Sequence, residues 1–177
     1  EGSELSPDAL ADVKSLLEEY ECFGLPIKSV GVQGDSRTYK HPVVLAGKCD
    51  WNVLAKYSTE ITNKVHDVNR VLFFLGCRGD NVELNVSDLN IERLDLLRKA
   101  DDLVNKFISE RGLVSSIWQF PVVLIPVSFK GGESIVLRPV ESSEAMTANF
   151  YRMDADLLSE LTDKLLDIDG IDAVFYD

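Results

Sequence analysis

The stretch Ile27-Lys28-Ser29-Val30-Gly31-Val32-Gln33-Gly34-Asp35-Ser36-Arg37-Thr38-Tyr39-Lys40-His41-Pro42-Val43-Val44-Leu45-Ala46 sets the layout of the chain. Ile27 to Val32 reads as a strand, Gly34-Asp35 as a turn, and Pro42 to Ala46 as a second strand. Asp50 can cap a helix whose stripe is Trp51, Leu54, Ile61 and Val65, and Val68 to Leu75 closes the unit as a third strand. Downstream the same order returns. Pro121 to Phe129 and Ile135 to Val140 are predicted strands on either side of the turn Lys130-Gly131-Gly132. Asp154 or Asp156 begins a helix bearing Leu157, Leu158, Leu161 and Leu165, and Ala173 to Tyr176 is the last strand.

The two units also echo each other residue by residue. Ile61-Thr62-Asn63-Lys64 parallels Leu161-Thr162-Asp163-Lys164, and Val68-Asn69-Arg70-Val71 parallels Ile171-Asp172-Ala173-Val174. Each unit has one helix to cover one sheet face, so each leaves apolar surface that needs a partner. The simplest partner is the other unit, related by a pseudo-twofold axis.

Two further helices frame the units. Ser6-Pro7-Asp8 is a helix start, followed by Leu10, Val13, Leu17 and Tyr20 at helical spacing, with Gly24 ending the run. A second helix is predicted over Ser87 to Arg111, with Leu94, Leu97, Val104 and Ile108 on its apolar face and Gly112 as its stop. The expected fold is therefore α+β: an N-terminal helix over 1–24, a first β-β-α-β unit over 25–81, a connecting helix over 82–112 and a second β-β-α-β unit over 113–177, with the units packed as a pseudo-twofold pair.

At 177 residues the chain can bury one good core or two small ones, and 45% hydrophobic with 27% charged residues is ordinary for a globular domain. No apolar run approaches the ~20 residues of a membrane helix. The acidic, polar start is unlike a signal peptide, and a first residue other than Met is expected of a trimmed chain. A cytoplasmic location is expected. The net charge of −12 argues against a large basic nucleic-acid surface, yet a few arginines suffice for a phosphate pocket. Cys22, Cys49 and Cys77 lack metal-ligand spacing and read as reduced thiols.

No catalytic motif assembles. Neither Gly31 to Gly34 nor Lys130 to Ser134 carries the Gly-Lys-Ser/Thr ending of a phosphate loop, and no Gly-x-Ser-x-Gly elbow occurs. His41 and His66 read as surface residues. Arg37 has the strongest binding chemistry, because a planar guanidinium can grip a phosphate with two parallel hydrogen bonds. Gly31 and Gly34 leave room for close approach, and Asp35 can hold the turn or orient Arg37. A tight hairpin with a surface Arg37–Asp35 pair accounts for the same residues, and composition alone favours it. In Trp118-Gln119-Phe120, the Gln119 amide can read a base edge or a sugar hydroxyl. The flanking rings either fix it or fill the core, and composition favours the core.

These motifs, in their joint order, resemble the C-terminal domain of the glutamine-hydrolysing GMP synthase family. The second unit shows Ile117-Trp118-Gln119, Leu124-Ile125-Pro126, Met146-Thr147-Ala148 and Val174-Phe175-Tyr176-Asp177. The first shows Leu25-Pro26, Gly31 to Tyr39 and Val68-Asn69-Arg70-Val71. The Gly-Asp-x-Arg-Thr-Tyr piece is intact only in the first unit and has decayed to Ser128-Phe129-Lys130-Gly131-Gly132 in the second. The pattern is similar to the long, two-unit form associated mainly with eukaryotes.

The resemblance implies that the first unit replaces the second chain of the one-unit form, whose chains pair as a homodimer through this domain. It implies xanthosine monophosphate as the ligand, with Gln119 in contact with it and Arg37 reaching its phosphate. Arg70, Gln33 and Asp35 are implied as phosphate or interface residues. Ala173 stands where the family usually has Arg, and the family's Lys-Pro-Pro tail lies beyond Asp177, so weak nucleotide affinity is expected of this fragment. The glutaminase and ATP-pyrophosphatase motifs are missing, so the fragment is expected to be inactive alone and to hold no cofactor. ATP and Mg2+ would serve the parent enzyme, with the glutaminase and ATP-pyrophosphatase domains of the same chain as partners. The rival reading is a non-enzymatic interaction module that binds protein through sheet edges.

Overall fold

Asp50 and Asp154 each turn an extended segment into a helix, and around these helices the chain builds the same motif twice. The computed structural model describes residues 2–33, 36–86, 88–142 and 148–177, with the backbone alone of Val32, Gln33 and Ser36. It divides into unit 1, Glu1–Phe74 with Val82–Leu84, and unit 2, Leu75–Asn81 with Asn85–Asp177.

Unit 1 runs α1 (Pro7–Leu16), β1 (Glu21–Gly24), β2 (Ser29–Gln33), β3 (Ser36–Ala46), α2 (Trp51–Lys64) and β4 (Val68–Cys77, which continues past the unit boundary), with the short β5 (Glu83–Leu84). The Asp50 carboxylate accepts from the N–H groups of Asn52 and Val53 at 3.0 and 3.2 Å, which satisfies donors that a helix start otherwise leaves open. From that cap α2 buries Leu54, Tyr57 and Ile61, while β3 contributes Val43, Val44 and Leu45 to the same core. β1 pairs antiparallel with β3, and β3 pairs parallel with β4, so α2 is the crossover a parallel pair requires.

Unit 2 runs α3 (Ile91–Glu110), β6 (Val122–Ile125), β7 (Val127–Ser128), β8 (Glu133–Leu137), β9 (Val140–Ser142), β10 (Ala148–Phe150), α4 (Ala155–Leu166) and β11 (Ile171–Tyr176). β6 pairs antiparallel with β8, and β8 pairs parallel with β11 across α4. α4 is capped by Asp154 and buries Leu158, Leu161 and Leu165. The α+β fold of two β-β-α-β units is therefore as expected.

The duplication extends to an irregularity. In unit 1 the register passes from His41↔Val68 to Pro42↔Arg70, skipping Asn69. In unit 2 it passes from Glu133↔Ile171 to Ser134↔Ala173, skipping Asp172. Both last strands thus carry a bulge one residue after their start. Bulges re-aim a side chain out of the ladder; here Asn69 reaches strands β2 and β3, and Asp172 reaches the loop before β8.

Several boundaries differ from expectation. The N-terminal helix stops at Leu16 instead of running to Gly24, because Glu21–Gly24 pairs with Val43–Ala46 and Tyr20 packs edge-on against Tyr57 at 5.7 Å. Strand pairing to a buried neighbour outweighs the helical spacing of Leu17 and Tyr20. The connecting helix starts at Ile91, where the Asn90 side chain accepts from the Arg93 N–H at 2.8 Å, and Gly112 ends it with φ +69°. The β9–β10 hairpin was not expected; its strands are three residues each and carry little alternation. Met146 and Thr147 lie outside the described residues. Among the described residues no helix is long and apolar enough to cross a membrane.

Candidate functional site

In unit 1 the site residues sit on the β2–β3 hairpin. Its register runs from Ser29↔Lys40 to Gln33↔Ser36, with Val32 opposite Arg37 and Val30 opposite Tyr39. Alternation along β3 puts Arg37 and Tyr39 on one face, and both are exposed, Tyr39 at 64%. Thr38 turns the other way, and its hydroxyl donates to the Gly31 carbonyl at 3.3 Å. Gly34 and Asp35 lie outside the described residues, as does the Gln33 side chain, so the expected Arg37–Asp35 arrangement lies outside them too.

The bulge residue Asn69 braces this hairpin. Its Nδ2 donates to the carbonyls of Ser29 (2.8 Å) and Thr38 (3.4 Å), one on each strand, and its Oδ1 accepts from the Ser29 hydroxyl at 2.5 Å. Arg70 follows, and its Nη2 donates to the Val30 carbonyl at 3.2 Å. The space left by Gly31 is used by these groups: a Cβ there would lie 2.9 Å from Thr38 Oγ1 and 3.0 Å from Asn69 Nδ2. The glycine thus admits the Asn69 side chain, where the sequence reading had ligand or partner backbone approaching. Gly31→Ala is expected to destabilise the protein by about 1–3 kcal/mol through overpacking. Thermal denaturation of Gly31→Ala, Asn69→Ala and the double variant checks this, since Gly31→Ala should cost less in the Asn69→Ala background, where the Nδ2 contact is gone.

In unit 2 the equivalent slot holds a carboxylate. Asp172 Oδ2 accepts from the N–H groups of Phe129 (3.0 Å), Lys130 (2.6 Å) and Gly132 (2.7 Å) and from the Ser128 hydroxyl (3.1 Å). The decayed motif is therefore a closed loop whose donors point inward at its own chain. That geometry leaves the hairpin of unit 1 as the one that presents an exposed arginine.

Gln119 lies beyond the start of β6. It is exposed, and its main chain pairs with Val140: Val140 N–H donates to Gln119 O at 2.7 Å and Gln119 N–H to Val140 O at 3.3 Å. Trp118 is 52% exposed, which corrects the core-packing reading of that ring. The reason is that the Trp118 and Gln119 amides both hang on one carbonyl, that of Val140, at the fringe of the sheet. Arg138, at the end of β8, pairs with Asp177 (Nε to Oδ2, 2.5 Å). The sequence reading did not single out Arg138, Asp172 or Asp177 as site residues. The signal available was their place at strand ends and bulges, which needs the register to be known.

Other candidates offer less. His41 is buried, contrary to the surface reading: it precedes the buried run Val43–Leu45, its N–H donates to Asp67 O at 3.1 Å, and its Nε2 lies 3.2 Å from Ser3 Oγ. His66 is exposed. All three cysteines are free thiols, and burial pushes each pKa up, which makes them weak nucleophiles. Among the described residues no group of three or more His, Cys, Asp or Glu could hold a metal ion. A groove of about 580 Å3 is lined in part by Lys99, Lys106 and Lys164 with Asp102, Glu110 and Asp167, so its charges offset one another.

Comparison with known proteins places these features in a family. The model of the GMP synthase C terminal domain matches residues 9–78 and again 106–177, which coincides with the repeat. A probable glutamine-hydrolyzing GMP synthase of Leptospira interrogans is 45% identical over 158 residues, 86% of this chain and 26% of the relative. The probable GMP synthase of Caenorhabditis elegans is 35% identical over 149 residues, 70% of this chain and 20% of the relative. That of Dictyostelium discoideum is 28% identical over 178 residues, 86% of this chain and 25% of the relative. The chain thus spans about a quarter or less of the length of these relatives.

Proposed function

The chain belongs to the GMP synthase C terminal domain family, and from that premise we propose that it binds xanthosine monophosphate for a glutamine-hydrolysing GMP synthase. Gln119 contacts the nucleotide, and Arg37 grips its phosphate. The contribution is orientation: binding energy fixes the nucleotide where chemistry elsewhere in the parent enzyme can reach it. ATP and Mg2+, glutamine hydrolysis and amination to GMP belong to the ATP-pyrophosphatase and glutaminase domains outside this chain. The fragment alone is inactive, and the parent acts in the cytoplasm. In this two-unit form, unit 1 takes the part that a second subunit plays in a homodimer of one-unit chains.

The observation that supports the reading most is the contrast between the two units. Arg37 is exposed on β3 of a hairpin braced by Asn69 and Arg70, whereas the decayed segment of unit 2 is closed on Asp172. A charge-assisted hydrogen bond contributes about 1.5–3 kcal/mol. In the full-length parent enzyme, Arg37→Ala should therefore weaken xanthosine monophosphate binding on the order of ten- to a hundred-fold by isothermal titration. Xanthosine, which lacks the phosphate, should bind wild type and variant alike. Equal monophosphate affinity in both proteins would remove Arg37 from the site, and no binding of the monophosphate to the full-length parent would leave the interaction-module reading in its place.

A further inference from the structure

The register of unit 2 continues past its assigned strands. Val123↔Val136 is a ladder pair, Arg138 N–H donates to Pro121 O at 3.0 Å, and Gln119↔Val140 is a bridge. Pair 123/136, the Arg138–Pro121 hydrogen bond and the isolated bridge 119/140 keep one antiparallel register, and alternation along it puts Gln119, Pro121, Arg138 and Val140 on one side. Arg138 is the diagonal neighbour of Gln119, a relation that keeps long side chains within reach. On its other side, Tyr176↔Leu137 is a parallel pair, and the Asp177 N–H donates to Leu137 O at 2.9 Å. Asp177 therefore stands beside Arg138, as their ion pair requires. Gln119, Arg138 and Asp177 thus hold neighbouring register positions, the last two just outside the carboxyl ends of the parallel strands β8 and β11, the place where ligands bind in sheets with parallel crossovers.

Duplication provides an internal control. The registers equate Leu137 with Leu45 and Tyr176 with Phe73, so Arg138 and Asp177 correspond to Ala46 and Phe74 in unit 1. There the position is apolar, and Phe74 packs edge-on against Phe23 at 5.9 Å. A polar row is thus not demanded by the fold. The Asp177 side chain is 13% exposed and that of Arg138 is 42% exposed, so the pair is shielded at the acid and open at the guanidinium.

We infer that Gln119, Arg138 and Asp177 form a base-reading row that recognises the edge of an oxopurine; this rests on the nucleotide-binding reading above. The Arg138–Asp177 pair is neutral overall, which makes it a poor counter-ion for a phosphate. It supplies donors beside an acceptor, and an oxopurine edge alternates carbonyl oxygens with N–H groups. Arg138 donates to a base carbonyl, Asp177 accepts from a base N–H and holds the guanidinium plane, and Gln119 adds one of each. Arg138 and Asp177 are thereby specificity determinants, distinct in role from Arg37.

The test compares xanthosine monophosphate with inosine monophosphate, which lacks the 2-oxo group, as ligands of the full-length parent enzyme. Sites built to hydrogen-bond a group reject the analogue lacking it, because their own polar atoms are left unpaired. Arg138→Ala and Asp177→Asn should each reduce the preference for the xanthine nucleotide by roughly ten-fold or more, with Arg138→Lys retaining part of it. Arg37→Ala should weaken both nucleotides equally and leave the preference unchanged. A preference unaltered in Arg138→Ala and Asp177→Asn overturns the inference, whether or not overall affinity falls. Were Arg37→Ala without effect on either nucleotide, the phosphate reading would fail separately. Thermal melts of each variant identify any loss that comes from unfolding, and Arg138→Lys, which keeps the charge, stands in if Arg138→Ala does not fold.

Discussion

Asp172→Ala is expected to cost about 3–5 kcal/mol of stability, the loss associated with removing the charged partner from a buried polar network. One buried carboxylate oxygen accepts from three backbone N–H groups and the Ser128 hydroxyl, and that hydroxyl in turn accepts from the Gly131 N–H at 2.5 Å. Phe129 and Ser128 are buried, so donors stripped of Asp172 cannot all turn to water. Gly132 is fitted to the wild-type loop, since a Cβ there would lie 2.6 Å from Asp172 Oδ1 and from Gly170 O. Thermal denaturation should show a drop of roughly 10 °C for a domain of this size. Amide exchange should show Lys130 and Gly132 losing protection first. Asp172→Asn is the informative companion. It keeps one acceptor oxygen but removes the charge, and its NH2 would face other donors if turned the wrong way, so an intermediate loss is expected.

The second large effect is expected at the start of α3. Arg93 and Glu133 make a two-pronged pair, Nε to Oε1 at 2.6 Å and Nη2 to Oε2 at 2.8 Å, with side-chain exposures of 18% and 7%. This pair ties the first turn of α3 to the first residue of β8. Removing one member leaves the other charge poorly solvated, and Glu133→Ala should cost about 3 kcal/mol. Replacing both, Arg93→Met with Glu133→Leu, should recover most of the loss, because the desolvation penalty disappears with the charges. Chemical denaturation of the single and double variants measures this. Equal losses in the two would mean that the helix start depends on the ion pair itself.

The sequence carried the fold through its strongest local signals. Asp50 caps the helix it was expected to cap, Asp154 is the cap of the two acids expected for α4, Gly112 stops α3, and Leu54, Ile61, Val65, Leu158, Leu161 and Leu165 are buried as periodicity required. What it did not carry was pairing. Glu21–Gly24 looks helical by spacing and becomes a strand because a buried neighbour is available. The bulges at Asn69 and Asp172 are invisible locally, since a skipped residue is defined by the opposite strand. The same applies to the site. Arg37 and Gln119 stood out by side-chain chemistry alone, composition favoured a surface hairpin pair for one and the core for the other, and both are exposed. Arg138 and Asp177 lie 39 positions apart and become neighbours only through the parallel register of β8 and β11.

A structure of the full-length parent enzyme with xanthosine monophosphate bound tests the central claim most directly. The nucleotide should have the Gln119 amide within about 3 Å of it and the Arg37 guanidinium on its phosphate oxygens, in hydrogen-bonding range. A nucleotide bound at a place that neither side chain reaches would contradict the account.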